Sequence, residues 1–360
     1  SRARELCQQT GETLQLFPVQ WGLWTCYIVQ ARQQLARDVG TQLLSLSQHV
    51  QDATCLLEAH MALAGSLHDL GEFTSARQHW DYSLACYDRQ QHRSHVLHFG
   101  LDLGVMSRAW MSHTLWHQGY PDQALTRSHE ALALAEAHAH PFSQAIALAY
   151  VVMLHQFRRE QHTVYEHANT ALALCTEQGF AYYLAWVTII QGWSLVVQGQ
   201  REVGIEQMRQ GLAALQSTDA KRALPFYLAL LAEGYGAVGQ TDEGLRVIAD
   251  AFAKVATTAE RRWEAELYRL KGELLLQAAG RKRQAQETPE ACFRQALEVA
   301  RQQQAKSLEL RAAMSLSRLW QQQGKRDAAR QLLPEVYAWF SEGLDTVDLR
   351  EARALLEQLA

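Results

Sequence analysis

Two short stretches decide how this chain is read: VQGQREVG at 197–204 and AVGQTDEG at 237–244. Each sets a glycine, Gly199 or Gly239, between an apolar run and a polar restart, and the two glycines stand one full repeat apart. The same turn recurs as HQGYPDQA (117–124), QQGKRDAA (322–329) and DLGEFTSA (69–76). Gly119 precedes Gly199 by two such repeats, Gly324 follows Gly239 by two repeats and a short insertion, and Gly71 precedes Gly119 by one repeat with a longer link. A second, independent marker keeps the same phase. The pairs Ala131-Leu132, Ala171-Leu172, Gly211-Leu212 and Ala251-Phe252 are spaced by 40, and Ala296-Leu297 follows by 45. Two markers in step over five units define a 40-residue repeat with one five-residue insertion, in AGRKRQAQETPEA (279–291).

Each unit reads as two helices of about four turns joined by the glycine turn. The glycine supplies the left-handed conformation that ends the first helix. The first helix carries a small residue at a fixed place: Ala64, Ser112, Gly192, Ala232, Gly272 and Ser317. Helices of a hairpin pack at the short end of the 8–10 Å range only where side chains are small. A hairpin of this kind cannot bury its apolar face alone, so neighbours stack. The expectation is an all-α protein, a right-handed α-superhelix (solenoid) of about eight hairpins over 18–343, led by one helix over 1–17 and closed by a capping helix over 344–360. Asp345 or Thr346 is expected to N-cap that last helix, whose charged residues Asp348, Arg350, Arg353 and Glu357 face solvent. Pro334 falls inside a helical run and is expected to kink it.

Composition agrees. The chain of 360 residues is 48% hydrophobic with only 6 prolines, so a large helical core is available. The net charge of −4 argues against nucleic acid. Six scattered cysteines with no CxxC pair read as reduced thiols of a cytoplasmic protein. The most apolar stretch, 182–197, is broken by Gln191-Gly192, so no membrane span is expected. The opening SRARELCQQ is already helical in pattern and reads as the start of a piece cut from a longer protein.

The units resemble the tetratricopeptide (TPR) repeat, through Leu63, Ala64, Leu67, Gly71, Ala76 and Trp80 in one unit and Leu231, Ala232, Tyr235, Gly239 and Gly244 in another. A 40-residue unit is longer than the usual 34, and resembles the long-repeat variant of the maltotriose-sensing transcription activator and its relatives. Over nearly the whole chain a closer resemblance is to the C-terminal TPR region of bacterial nucleotide-cyclase/AAA (STAND-type) ATPase regulators. It is carried by LFPVQWGLW (16–24), QQHRSH (90–95), HPFSQA (140–145), QGFAYYLAW (178–186), ELYRLKGELLL (266–276) and VYAWFSEGLDTVDLREARALL (336–356). That resemblance implies a sensor or scaffold arm and brings no catalytic residues.

The first helix of each unit is expected to line the concave face. The repeat register then puts His113, Trp116, Met153, Phe157, Trp186, Ile189 and Trp193 on an apolar, aromatic wall, with Arg269, Arg311 and Arg318 on a charged floor towards the C-terminal end. Such a groove suits an amphipathic helix or an extended peptide. The wall has a competing reading as core packed within the array, or against a missing ATPase module. All 15 histidines lie between His49 and His167. His68, His113 and His117, with Asp69, share one face at a spacing that zinc ligands also show, although histidine-rich helices produce such pairs without a metal. The loop cations Arg281, Lys282 and Arg283, and His92, His95 and His98 in the link after the second unit, read as solvated polar residues. No phosphate-binding glycine loop, nucleophile elbow or HExxH occurs. A binding protein is expected, with no enzymatic activity and no cofactor: a protein-interaction or effector-sensing scaffold that recognises a protein, a peptide or the parent's own ATPase module. A small-molecule receptor and a self-associating scaffold are the alternatives.

Overall fold

The computed structural model describes residues 13–50, 52–88, 100–278 and 287–360. Among them are seventeen α-helices and no strand. Eight antiparallel hairpins follow in order: α1 (Thr13–Val29) with α2 (Gln33–Val50), α3 (Ala53–Leu70) with α4 (Phe73–Ala85), α5 (Leu103–His117) with α6 (Pro121–His138), and α7 (Pro141–Phe157) with α8 (Gln161–Gln178). They continue as α9 (Ala181–Val197) with α10 (Arg201–Ser217), α11 (Leu224–Ala237) with α12 (Thr241–Thr258), α13 (Glu264–Ala278) with α14 (Pro289–Gln302), and α15 (Lys306–Gln322) with α16 (Arg326–Tyr337). A last helix, α17 (Val347–Leu359), packs on α15 and α16.

Each expected turn is formed. Gly71, Gly119, Gly199, Gly239 and Gly324 all have positive φ, between 75° and 95°, a region L-residues enter only at a cost. Asp52, Asp102, His140 and Thr288 accept backbone N–H bonds at the starts of α3, α5, α7 and α14. One boundary differs from the sequence reading. Helix α1 begins at Thr13 and holds Pro18 within it, so the division expected after residue 17 falls inside a helix. The rest of the expected leading helix lies outside the described residues, as do the basic loop tip 281–283 and the 90–99 link. Thr346 is the N-cap of α17, but its hydroxyl donates to Gly343 O instead of capping.

The small residues sit where helices touch. A Cβ on Gly192 would lie 2.7 Å from Gly204 O and 2.8 Å from Met208 Cγ. One on Gly272 would lie 2.5 Å from Phe293 Cε1, across the α13–α14 hairpin. Gly272→Leu is therefore expected to overpack this contact and cost about 1–3 kcal/mol. Urea unfolding reads the loss, and a midpoint equal to the parent's would contradict the register.

First helices touch one another in succession, forming the inner layer, while second helices lie outside. What sets the shape is a second family of contacts between hairpins four or five apart. The last C=O groups of a helix lack intrahelical partners. Here Val29 O, at the end of α1, accepts the amides of Lys221 and Arg222 ahead of α11. Asp69 O, near the end of α3, accepts the amide of Arg261 ahead of α13. Trp116 O, near the end of α5, accepts the Ser307 hydroxyl of α15, and Phe157 O accepts the guanidinium of Arg311. The orphan carbonyls of the first four hairpins are thus satisfied by the last ones, and the solenoid closes tightly on itself.

The main core cluster runs through this closure and includes Trp116, Phe157, Trp186, Phe226 and Trp263. Phe157 packs on Trp116, Phe226 and Trp263, all from different hairpins, with ring centroids 4.8–5.7 Å apart. None of the described helices is long and apolar enough to cross a membrane.

Candidate binding cavity on the inner face

Closure decides the fate of the expected aromatic wall. His113, Trp116, Met153, Phe157, Trp186, Ile189 and Trp193 are all at most 3% exposed. They are core, and the open apolar groove expected from the register is filled. The physical reason is the tight superhelix: the third and fourth hairpins meet the sixth and the entry to the seventh, so that Trp116 and Phe157 pack on Trp263 and Phe157 also on Phe226.

His68, His113 and His117 do come together, as their register implied, yet each is engaged by its own neighbours. His68 Nδ1 lies 2.9 Å from Thr114 Oγ1, His113 Nε2 lies 3.0 Å from Tyr150 O, and His117 Nδ1 lies 2.8 Å from His113 O. Asp69 faces Arg222 and Arg262 instead of the imidazoles. No group of three or more His, Cys, Asp or Glu side chains placed to hold a metal ion occurs among the described residues. Desolvation pushes all three imidazoles below their usual pKa, reinforced by the charge of Arg262, and takes His117 to about 3.

An opening persists at the C-terminal end of the inner face. A cavity of about 140 Å³ is lined by Arg159, by Trp193 on α9, by Glu233 on α11, by Glu266 and Arg269 on α13, by Arg311 and Arg318 on α15, and by Asp348 and Glu351 on α17, over a floor containing Phe226 and Trp263. So the three arginines expected on a charged floor do meet, with Trp193 at the edge of the core beside them. The volume suits one side chain or a chain terminus and is too small for the amphipathic helix expected of an open groove.

The arginines differ in how far they are committed. Arg311 is saturated: it donates to Asp348 (2.7 Å) and to Phe157 O (2.5 Å), and lies 5.0 Å over the Trp116 ring. Arg269 makes a two-pronged pair with Glu266, at 2.9 and 2.7 Å. Arg318 is 44% exposed at its side chain and holds Glu351 at 3.0 Å. Arg159 is 38% exposed and reaches both Asp348 (3.1 Å) and Glu351 (3.0 Å). Burial pushes the carboxyls of Glu266 and Asp348 up, but their guanidinium neighbours outweigh it and hold both below the usual carboxylate value. Asp348, expected on a solvent face of the cap, is instead a strut of the inner wall, because the cap docks that face against α15.

Arg159 is the residue the repeat alone did not single out, although the signal was in the sequence. It stands one repeat after Gly119 and one repeat before Gly199, at the position where other units place glycine. Its φ is +60°, a conformation costing an L-residue roughly 1–2 kcal/mol. Six other described non-glycine residues share that conformation, so it is the charge its side chain carries into the cavity that marks Arg159. A repeated basic dipeptide was likewise visible: Lys221-Arg222 recurs one repeat later as Arg261-Arg262. Its arginines converge on Asp69, which no local pattern foretells.

No protein-family model and no curated protein matches the sequence. Similarity is found among solved structures. A Rap protein in complex with Competence and Sporulation Factor superposes with a TM-score of 0.60 at 10% identity, over 95% of this chain and 97% of that one. Aspartyl phosphate phosphatase F from Bacillus subtilis superposes with a TM-score of 0.51 at 10% identity, over 95% and 92% of the two chains. At such identity the likeness concerns the fold: a TPR-like helical-repeat solenoid.

Proposed function

We propose that this chain is a protein- or peptide-binding, effector-sensing arm, and that its ligand engages the cavity between α9, α11, α13, α15 and α17. The observation that carries the reading is Arg159: a left-handed arginine in place of a turn glycine, reaching carboxylates of the cap. An incoming carboxylate takes the place of Glu351 on Arg159 and Arg318, the two partly exposed guanidiniums, while Arg269 and Arg311 stay paired and keep the wall in shape. Because Asp348 and Glu351 belong to α17, ligand exchange there bears directly on how the cap sits, which couples binding to the C-terminal end of the chain. The complex of a similarly folded Rap protein with Competence and Sporulation Factor lends support by analogy of fold. The resemblance to STAND-type regulators supports a place as the C-terminal arm of a cytoplasmic bacterial signalling ATPase or cyclase-like protein, and a role without catalysis. The described cysteines support the same compartment: Cys26, Cys55, Cys86, Cys175 and Cys292 are free, and desolvation pushes the thiols of Cys55 and Cys175 to about 11 and that of Cys292 to about 12.

Peptides selected on the whole chain from a displayed random library provide the test. Arg159→Gly and Arg318→Glu are expected to weaken the selected peptides about tenfold or more, the equivalent of one charge-assisted contact. Arg159→Gly should leave the thermal midpoint nearly unchanged, since relieved backbone strain offsets two partly exposed ion pairs. Selected peptides that bind both variants as they bind the parent would place the site elsewhere.

A further inference from the structure

Closure of the solenoid creates a second concave surface, on the seam itself. Its one bank is Thr74 and Arg77 of α4 with Gln118 and Tyr120 of the α5–α6 turn; its other bank is Arg301, Gln304, Lys306 and Trp339 from the last two hairpins. The groove has a volume of about 420 Å³, three times that of the inner cavity. Thr74 donates a hydrogen bond to Gln304 across it.

Its chemistry is one-sided. Three cations line it and no acidic residue does, among the described residues. Arg77 has no carboxylate partner among the described residues and lies 4.8 Å over the Tyr120 ring. Lys306 lies 5.0 Å from the centre of the Trp339 ring. Lys306 and Arg301 share a single close carboxylate, buried Glu309, at 2.7 and 2.8 Å; Glu335, largely exposed, is 3.8 Å from Arg301. Two carboxylates, one of them distant and largely exposed, face three cations and leave the groove positive.

Two further observations point to an occupant. Gln118 is 8% exposed, and its carboxamide oxygen is buried without a hydrogen-bond partner among the described residues. Trp339 is 48% exposed, its indole N–H makes no hydrogen bond to a described residue, and its ring sits against Gly119, where a Cβ would come within 3.0 Å of Nε1. An exposed tryptophan held in place by backbone, beside an arginine without a carboxylate partner and an unpaired carboxamide, is the composition of a binding surface. A carboxylate satisfies the cations, a peptide group satisfies the glutamine, and an apolar side chain covers the indole. We propose that this seam groove binds an acidic peptide segment, which by spanning both banks also holds the solenoid closed. The surface is separate from the inner cavity, and neither reading depends on the other.

The test uses the whole chain and a panel of fluorescein-labelled dodecapeptides, each rich in glutamate with one aromatic residue, beside lysine-rich counterparts. Binding is followed by anisotropy. Acidic peptides should bind and lysine-rich ones should not, with affinity falling as salt rises. Arg77→Glu and Lys306→Glu should each weaken binding about tenfold or more, whereas Arg246→Glu, exposed on α12 and lining neither cavity, should leave it unchanged. Circular dichroism checks folding, and Trp339→Ala, at a half-exposed site, carries the test if a charge reversal does not fold. Equal binding by parent and seam variants, loss only in the inner-cavity variant Arg318→Glu, or no acidic peptide bound at all overturns the proposal. So does displacement of the peptide by inorganic phosphate at equal concentration, which would make the groove a simple anion site.

Discussion

Asp69→Asn is expected to lower the free energy of unfolding by about 3–5 kcal/mol, the range found when one member of a buried ion pair is removed. The side chain is fully buried near the end of α3 and pairs with two guanidiniums at once. Arg222 donates from Nε at 2.6 Å and Nη2 at 3.1 Å, Arg262 from Nη1 at 2.6 Å, and Gln33 adds a bond at 3.2 Å. Glu260 balances the second charge, 2.8 Å from Arg262, and accepts the Ala223 amide. Asparagine keeps the shape but removes the charge, so Arg222 and Arg262 share one carboxylate in a buried site. The arginines precede α11 and α13 while Asp69 closes α3, so the damage should appear first as opening of the closure. Hydrogen exchange is expected to rise at the 220–223 and 260–263 amides before it rises in the hairpins themselves. A urea midpoint within error of the parent would mean that the quartet contributes no net stability and that aromatic packing alone closes the solenoid.

Lowering the pH from 7 to 5 is expected to destabilise the fold by about 3 kcal/mol or more: buried neutral imidazoles, with His60 also lowered to about 4, outweigh the opposing carboxyl of Glu58. His68, His113 and His117 are buried and neutral, with folded pKa values below the ordinary 6.5. Their stabilising contribution is complete above pH 6.5 and is lost as pH falls towards the folded values, because only the unfolded chain then takes up protons. At pH 5 that amounts to about 2 kcal/mol for each imidazole, or about 6 kcal/mol together. Glu58 acts the other way. Desolvation and the charge of Asp52 raise its carboxyl to about 8, so the folded state already holds that proton at pH 7 and regains about 2–3 kcal/mol on the way to pH 5. Both Glu58 oxygens are buried without partners, which fits a neutral carboxyl. Glu58→Gln should therefore steepen the acid loss towards the full histidine contribution, and His117→Gln should flatten it. Stability that holds level or rises between pH 7 and 5 in the parent would show that the three imidazoles are not buried together in neutral form.

The helix inventory was readable from the chain because it depends on local chemistry. A left-handed glycine such as Gly239, small contact residues such as Gly272, and a restart at Thr288-Pro289 each act within a hairpin, where the sequence period reports them directly. The eight hairpins and the cap follow from that period. The inner face is a different kind of quantity. Whether Trp193 lines a groove or a core depends on superhelical radius, which accumulates from small rotations between successive hairpins, and no single unit records that sum. Trp116 and Phe157 were placed on the correct face; closure turned that face into core. The cavity was legible in part: Arg269, Arg311 and Arg318 fell on one floor by register, whereas Arg159, a break in the glycine series, was not singled out. Its carboxylate partners on the cap were not legible, nor was the pairing of Asp69 with Arg222 and Arg262 across 153 and 193 residues. The sequence by itself determined the hairpins, their order and their inward faces, because turn conformation and side-chain size act locally. Only the tertiary structure decided which inward residues meet, because burial and ion pairing between distant hairpins exist only once the solenoid has closed.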